Sequence, residues 1–324
     1  MARCGILFFI TALFLQFSSP LFAQDPEFTQ FYAHPLYLNP AFAGTAKCPR
    51  AVMIYRNEWP DIHGTYTTYS ASYDQHIDVL SGGLGFLVTE DNQGAGTFSK
   101  LEASGIYSYQ LNVTRRFSLR FAMQGTYAQR KLDWSKLTFG DMIDQRLGFV
   151  YNTNEVRGPS STSYFDASSG ILGFSKRYFF GVAVHHLTQP NEALYSSAPS
   201  PLPMKITAHA GAVIPLDDKG NASISPNIIF LSQDKQQQLC LGVYASKGPI
   251  VAGLWYREGF TNPDSFIALI GIQYNIFKFG YSYDITVSKL SNAATAGSHE
   301  ISLAMNFACT SKTKKFRTVN CPSF

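Results

Sequence analysis

The stretch "SLRFAMQGTYAQR", residues 118–130, decides the fold. Leu119, Phe121, Met123, Gly125 and Tyr127 alternate with Ser118, Arg120, Ala122, Gln124, Thr126 and Arg130. A period of two is the spacing of a strand whose neighbouring side chains face opposite sides. One face is apolar and the other polar. The pattern recurs at 277–288, where Phe277, Phe279, Tyr281, Tyr283, Ile285 and Val287 oppose Lys278, Gly280, Ser282, Asp284, Thr286 and Ser288. It recurs again at 100–111, where Ile106 alone breaks it, and at 300–307.

Alternating strands build either a soluble sandwich with the apolar face inside, or a membrane barrel with that face in lipid and the polar face lining a lumen. Three features favour the barrel. Many segments are about ten residues long, the length of a tilted bilayer-spanning strand. Tyr and Phe crowd strand ends, as at Tyr107, Tyr109, Tyr281 and Tyr283, where interface girdles belong. Connections alternate between short ones, such as 74–81, 112–116 and 245–249, and long ones, such as 89–97, 131–164, 188–203, 232–238 and 258–265. The fold class is therefore all-β: a transmembrane antiparallel outer-membrane β-barrel of about fourteen strands. Those strands fall near 50–58, 65–75, 82–90, 98–111, 117–130, 165–174, 179–187, 204–214, 223–231, 239–245, 250–257, 265–275, 277–289 and 299–307, with weak alternation at 50–58 and 223–231. An even count with short periplasmic turns returns both termini to the periplasm.

Composition agrees with an exported barrel. Of 324 residues only 15% are charged, against about 25% in an ordinary soluble domain, while aromatics reach 15% through 26 Phe and 18 Tyr. Residues 1–23 read as a signal peptide, with Arg3 before the apolar run Ile6 to Phe17 and a small residue at Ala23. Behind it no apolar run approaches the roughly 18 residues of a spanning helix. The net charge of +4 is small, without a basic face, and with export it argues against nucleic acid. The chain divides into the signal peptide, a periplasmic N-terminal segment (24–49), the barrel (50–307) and a basic periplasmic C-terminal tail (308–324).

Several motifs stand in order along the mature chain: "NPAFAG" (39–44), "YRNEWP" (55–60), "YSASYD" (69–74), "GGLGF" (82–86), "YSYDITVSKL" (281–290), "GSHEISL" (297–303) and "CPSF" (321–324). Together they resemble the PorP/SprF-type outer-membrane proteins of the type IX secretion system. The resemblance implies an integral outer-membrane protein tied to the secretion and gliding-motility machinery of Bacteroidetes-type bacteria. Its implied partners are machinery components and a secreted cargo protein or large adhesin, with outer-membrane lipid around the barrel.

Enzymatic readings fail on their motifs. Gly-x-Ser-x-Gly and a phosphate-cradling glycine loop with its Lys, which position donors at developing charge, are both absent from the sequence. "HEISL" begins like a zinc motif, but Leu303 replaces the second His and the segment reads as strand. His185 and His186 point to opposite faces of a strand, and His209 faces the lumen, where a lone His is commonly a solvated polar residue. Neither catalytic residues, cofactor nor metal are expected. Lumen charges such as Lys100, Glu102, Arg120 and Arg130 pair across strands or tune a pore.

Three regions are candidate interaction sites. The outer loops carry Trp134, Phe139, Phe149, Tyr151, Tyr164 and Tyr195 among polar residues, an arrangement suited to protein recognition or to closing the barrel mouth. The tail carries Lys312, Lys314, Lys315 and Arg317 without an acid, either solvated or docked on a periplasmic partner. The segment around "LNPAFAG" (38–44) reads as rigid but non-regular, since Pro40 lacks a donor, Asn39 is pushed extended and Gly44 permits a left-handed turn. With Phe28, Phe31, Tyr32, Tyr37 and Phe42 it either plugs the periplasmic mouth or meets a partner, plugging being favoured because water-facing aromatics are costly. Cys48, Cys309 and Cys321 share one side of the barrel, so a disulfide would join two of them; the choice is open, leaning to Cys48–Cys321. A porin-like channel for small solutes is the alternative function.

Overall fold

The computed structural model describes residues 25–46, 48–62, 64–195, 199–218, 221–260, 262–287 and 295–309. Fourteen antiparallel strands form one closed sheet: β1 (Arg50–Glu58), β2 (Tyr66–Ile77), β3 (Gly82–Gln93), β4 (Phe98–Asn112), β5 (Ser118–Leu132), β6 (Ser161–Phe174), β7 (Tyr178–His185), β8 (Lys205–Ala212), β9 (Ala222–Gln233), β10 (Gln236–Lys247), β11 (Ile250–Gly259), β12 (Asn262–Tyr274), β13 (Phe277–Thr286) and β14 (Ser298–Asn306). Each strand pairs with its sequence neighbour, and β14 returns to β1 in a register running from Arg50 opposite Asn306 to Glu58 opposite Ser298. Closure leaves the main sheet without an edge, which lipid requires because it cannot satisfy open backbone groups.

Burial settles the polarity. On β5, Met123 is 71% exposed and Phe121 and Tyr127 are exposed, whereas Arg120 is fully buried and Gln124 and Thr126 are buried beside it. The same inversion holds on β2, where Tyr69 and Tyr73 face out and Thr68, Ser70, Ser72 and Asp74 face in. A sandwich would bury the opposite set. Ile106, the residue that breaks the alternation of β4, is buried on the lumen side.

The two ends of the barrel differ. At one end the turns are short, as between Asn112 and Ser118 or Phe174 and Tyr178. At the other lie 133–160 and 186–204. Three connections expected to be long at that end, 89–97, 232–238 and 258–265, are tight hairpins instead, the first reduced to residues 94–97 between β3 and β4. Gln236–Gln238 belong to β10, and Asp234 supplies the left-handed turn with φ 51°. Their polar residues signal a strand rising beyond the apolar band, not a loop. Cys240 consequently lies within β10, buried and unpaired with another cysteine.

The lipid-facing surface gives a direct check. Leu254, in the middle of β11, is exposed on the outer face. Leu254→Arg is expected to destabilise the barrel by about 2–4 kcal/mol, the depth-dependent cost of a cation near the bilayer midplane. Reversible urea unfolding into lipid vesicles measures it, with Leu254→Ile as the near-neutral control.

Candidate functional site

The lumen is occupied by the chain's own N-terminal segment. The segment was expected to plug the periplasmic mouth or meet a partner there, but it reaches further: residues 25–46 run through the lumen, with Asp25 at the long-loop end and Thr45 approaching the short-turn end. Leu36 is fully buried and Phe42 is 1% exposed. They pack among Leu87, Ile106, Leu172, Phe179, Tyr244 and Trp255, all on the lumen wall. These inward apolar residues explain the interrupted alternation: each meets the segment instead of water.

"LNPAFAG" is also more regular than expected. Pro35–Leu38 form one α-helical turn, and Pro40–Phe42 form a 3₁₀ turn. Asn39 caps that turn by accepting from the Ala41 N–H at 2.9 Å, while Pro40 stands at the first position, where no donor is needed. The Asn39 amide also donates to Ile171 O at 3.1 Å and to His209 Nε2 at 3.2 Å. His209, read from sequence as a solvated lumen residue, is instead buried and stacked on Phe42 with ring centroids 5.3 Å apart. Gly170 and Gly181 form the notch that receives Asn39; a Cβ on Gly170 would lie 2.1 Å from Asn39 Oδ1. Sequence reasoning missed both glycines, whose signal is a missing side chain inside a strand.

Below this point, Gly44 adopts φ 68° and its N–H donates to Asp74 Oδ2 at 2.8 Å. Arg120 donates to the carbonyls of Ala43 and Gly44. The backbones of Gly44 and Gly83 touch, so a Cβ on Gly83 would lie 2.4 Å from Ala43 O. Cys48 is then bonded to Cys309, just beyond β14. This replaces the favoured Cys48–Cys321 pairing, because closure sets the start of β1 beside the end of β14. Cys321, Lys312, Lys314, Lys315, Arg317 and the signal peptide lie outside the described residues.

Above the helical turn the segment is held by buried polar groups. Glu300 accepts from the Thr29 N–H at 2.7 Å, the Thr29 hydroxyl at 2.9 Å and the Gln30 N–H at 3.0 Å. At the long-loop end, the two ring nitrogens of His186 each meet a carboxylate oxygen at 2.7 Å, from Asp25 and Asp166, so both N–H groups donate and the ring is charged. Lys100 and Lys205 lie 3.4 and 3.7 Å from Asp25. Burial pulls the His186 pKa down, but the Asp25 charge and the hydrogen bonds of Asp166 and Asp25 outweigh it and raise the group to about 9. Burial likewise opposes ionisation of Asp25, yet His186, Lys100 and Lys205 hold its carboxyl well below the usual range.

The predicted loop aromatics divide. Phe149, Tyr151 and Tyr195 are exposed, Trp134 and Phe139 are half-buried, and Tyr164 lies on β6 rather than in a loop. In loop 133–160 a two-residue ladder joins Ile143–Asp144 to Gly148–Phe149. Asp144 accepts the Arg146 N–H, the Leu147 N–H and the Tyr151 hydroxyl, which together hold its carboxyl below the usual range. Leu147, Val150 and Val156 are exposed on the same loop and were not anticipated as surface residues. Tyr195 packs its hydroxyl against Gly158, so the two long loops touch.

The family described as type IX secretion system membrane protein PorP/SprF matches residues 21–305. A search of curated proteins finds no significant relative. Among solved structures, the Ralstonia pickettii toluene transporter TbuX is similar at TM-score 0.50 and 10% identity, over 84% of this chain and 93% of that chain. The P. putida toluene transporter TodX aligns at TM-score 0.45 and 11% identity, over 83% of this chain and 92% of that chain. The TbuX likeness is one of fold: an outer-membrane barrel.

Two outcomes follow for the lumen segment. Gly83→Ala forces backbone apart and is expected to cost about 1–3 kcal/mol, read as a lower temperature for the heat-modifiable gel shift. For His186 the folded pKa is raised, so its contribution is fully present below about 6.5 and is lost as pH rises through about 9. For Asp25 the folded pKa is depressed, so its contribution is lost only as pH falls through that low value. Chymotrypsin cleavage at Phe28 and Phe31 should therefore accelerate several-fold as pH passes 9. His186→Ala should give the fast rate at every pH.

Proposed function

We propose, from the premise that this chain belongs to the PorP/SprF family of type IX secretion system membrane proteins, that it is a plugged barrel gripping a secreted protein at the cell surface. The family and the barrel are those of an integral outer-membrane component of a secretion system and not of an enzyme. The held protein would be a secreted cargo or, in a gliding cell, a large adhesin. Long loops face outward in outer-membrane barrels, which would put Phe149, Tyr151 and Tyr195 at the surface and the Cys48–Cys309 bridge toward the periplasm. The short-turn end, with the basic tail at Lys312, Lys314, Lys315 and Arg317, would then meet the secretion machinery.

One observation carries this reading. Residues 25–46 occupy the lumen and bury Leu36 and Phe42 against its wall. A solute pore needs a continuous polar path, and here apolar packing and buried hydrogen bonds cross it. The porin reading is accordingly disfavoured, and the surfaces left for work are the two ends.

In planar bilayers the intact chain is expected to show little stable conductance, while deletion of residues 25–46 should open pores of large, steady conductance. Pull-down from native envelopes should recover a secreted protein with the wild type, and replacement of loop 133–160 by a short turn should reduce that recovery at least tenfold. Deletion of 310–324 should leave the surface protein bound and weaken recovery of machinery components. Large conductance from the intact chain, with no secreted protein recovered, would sink the anchor reading.

A further inference from the structure

At the long-loop end the segment does not fill the lumen. A cavity of about 330 Å³ lies between the wall and Asp25–Glu27 of the segment. Its charges are out of balance. Arg56 lies 3.6 Å from Glu58, 3.7 Å from Asp284 and 3.5 Å from Glu300. Arg257 bonds Asp264, meets Asp284 at 2.8 Å and lies 3.7 Å from Glu27. Two guanidinium groups thus face five carboxylates, and Asp91, hydrogen-bonded by Thr68 and Gln93, also lines the cavity, so six carboxylates meet two cations and four negative charges are left without one among the described residues.

The adjoining network around Asp25 shows that this is not a general feature of the lumen. There Lys100, Arg130, His186 and Lys205 face Asp25, Glu102, Asp166 and Glu192, four cations to four anions. Of these two networks, the one lining the cavity carries the deficit. One deeply buried carboxylate is also incompletely bonded: the side chain of Asp284 is 2% exposed, its Oδ2 meets both arginines, and its Oδ1 has no hydrogen-bond partner among the described residues, as Arg56 Nε and Arg257 Nη1 beside it have none. A buried carboxylate with an idle oxygen is costly unless a donor arrives.

We propose that this cavity receives a positively charged side chain, a guanidinium or an ammonium, carried by a polypeptide segment of the protein held at the long-loop end. Glu58, Asp264 and Glu27 keep about a third of their side chains exposed or slightly less (27%, 32% and 33%) and supply accessible acceptors at the opening. Asp284 supplies the buried one. Trp59 and Tyr66, edge to face at 5.9 Å, also line the cavity. They offer an apolar wall for the methylene stem and an aromatic face for the cation. Among the described residues no three metal-binding side chains converge, and the guanidinium groups already occupying the carboxylates oppose a bare metal ion. An organic cation with directional N–H donors fits the idle acceptors better.

This rests on the proposed role of the long-loop end and names the chemistry of its partner. The test uses the purified full chain in detergent and a fluorescent pentapeptide, acetyl-Gly-Gly-Arg-Gly-Gly-amide, with a citrulline peptide of the same shape as the neutral control. The arginine peptide should bind saturably and more weakly as salt rises, and the citrulline peptide should bind at least tenfold more weakly. The double variant Glu58→Gln/Asp264→Asn should lose at least tenfold in affinity while keeping the heat-modifiable gel shift that reports a folded barrel. Equal binding of the two peptides, or unchanged binding by the variant, overturns the proposal. Free arginine methyl ester binding as tightly as the peptide overturns its polypeptide part. Secreted protein that still co-purifies fully with the double variant overturns the pocket as its grip, and leaves the anchoring role standing on its own pull-down.

Discussion

Closure of β14 onto β1 is the constraint on which the rest depends. In hydrocarbon every strand needs partners on both sides, and the unbroken register from Arg50–Asn306 to Glu58–Ser298 supplies the last of them. A closed sheet in lipid turns its apolar face outward, so Met123 is exposed and Arg120 is buried. Eight strands enclose a lumen that wall side chains can fill, and sixteen leave an aqueous channel. Fourteen leave room that the wall cannot close and that water or another segment must occupy. Residues 25–46 occupy most of it.

A polypeptide inside a barrel brings its own demands. Its apolar side chains need apolar patches on an otherwise polar wall, and Ile106, Tyr244 and Trp255 provide them. Its backbone needs close approach, and Gly83 and Gly170 provide that. Asp25 and Cys48 sit at opposite ends of the lumen, so the chain crosses the barrel once before entering β1. The Cys48–Cys309 bond joins the two ends of the sheet at the rim where they meet, which makes the closure of the sheet covalent.

How much of this could be read from sequence follows from the range of each interaction. The strand count and the polarity inversion are local, carried by period two in segments such as 118–130 and 277–288. The lumen location of 25–46 is not local: Asn39 finds Ile171 and His209, far along the chain. Its visible traces were the segment's own aromatics, Phe28, Phe31, Tyr32, Tyr37 and Phe42, which favoured a plug at the mouth, and Ile106, an apolar residue on a polar face. The hairpins at Asp234 and after Gly259 were hidden because polarity marks both a loop and a strand beyond the apolar band. The cysteine set was readable from topology, whereas the pairing of Cys48 with Cys309 needed the register of β1 and β14. The exposed apolar residues of loop 133–160 carry no periodicity, so only folding of its ladder identifies Leu147 and Val150 as surface.

The two charge systems at the long-loop end divide the labour of the lumen. Around Asp25 the ions are matched four to four and are mostly buried, which resists displacement because removing one partner strands another. Beside it, five carboxylates share Arg56 and Arg257, and Asp284 keeps an idle oxygen. The matched network fixes the segment as a floor. The unmatched one, resting on that floor, would gain stability from a cation added from outside, as proposed above. A barrel built this way would hold the proposed partner at one end without opening a path to the other, since the interaction proposed to draw that partner in is separate from the one that keeps the lumen shut.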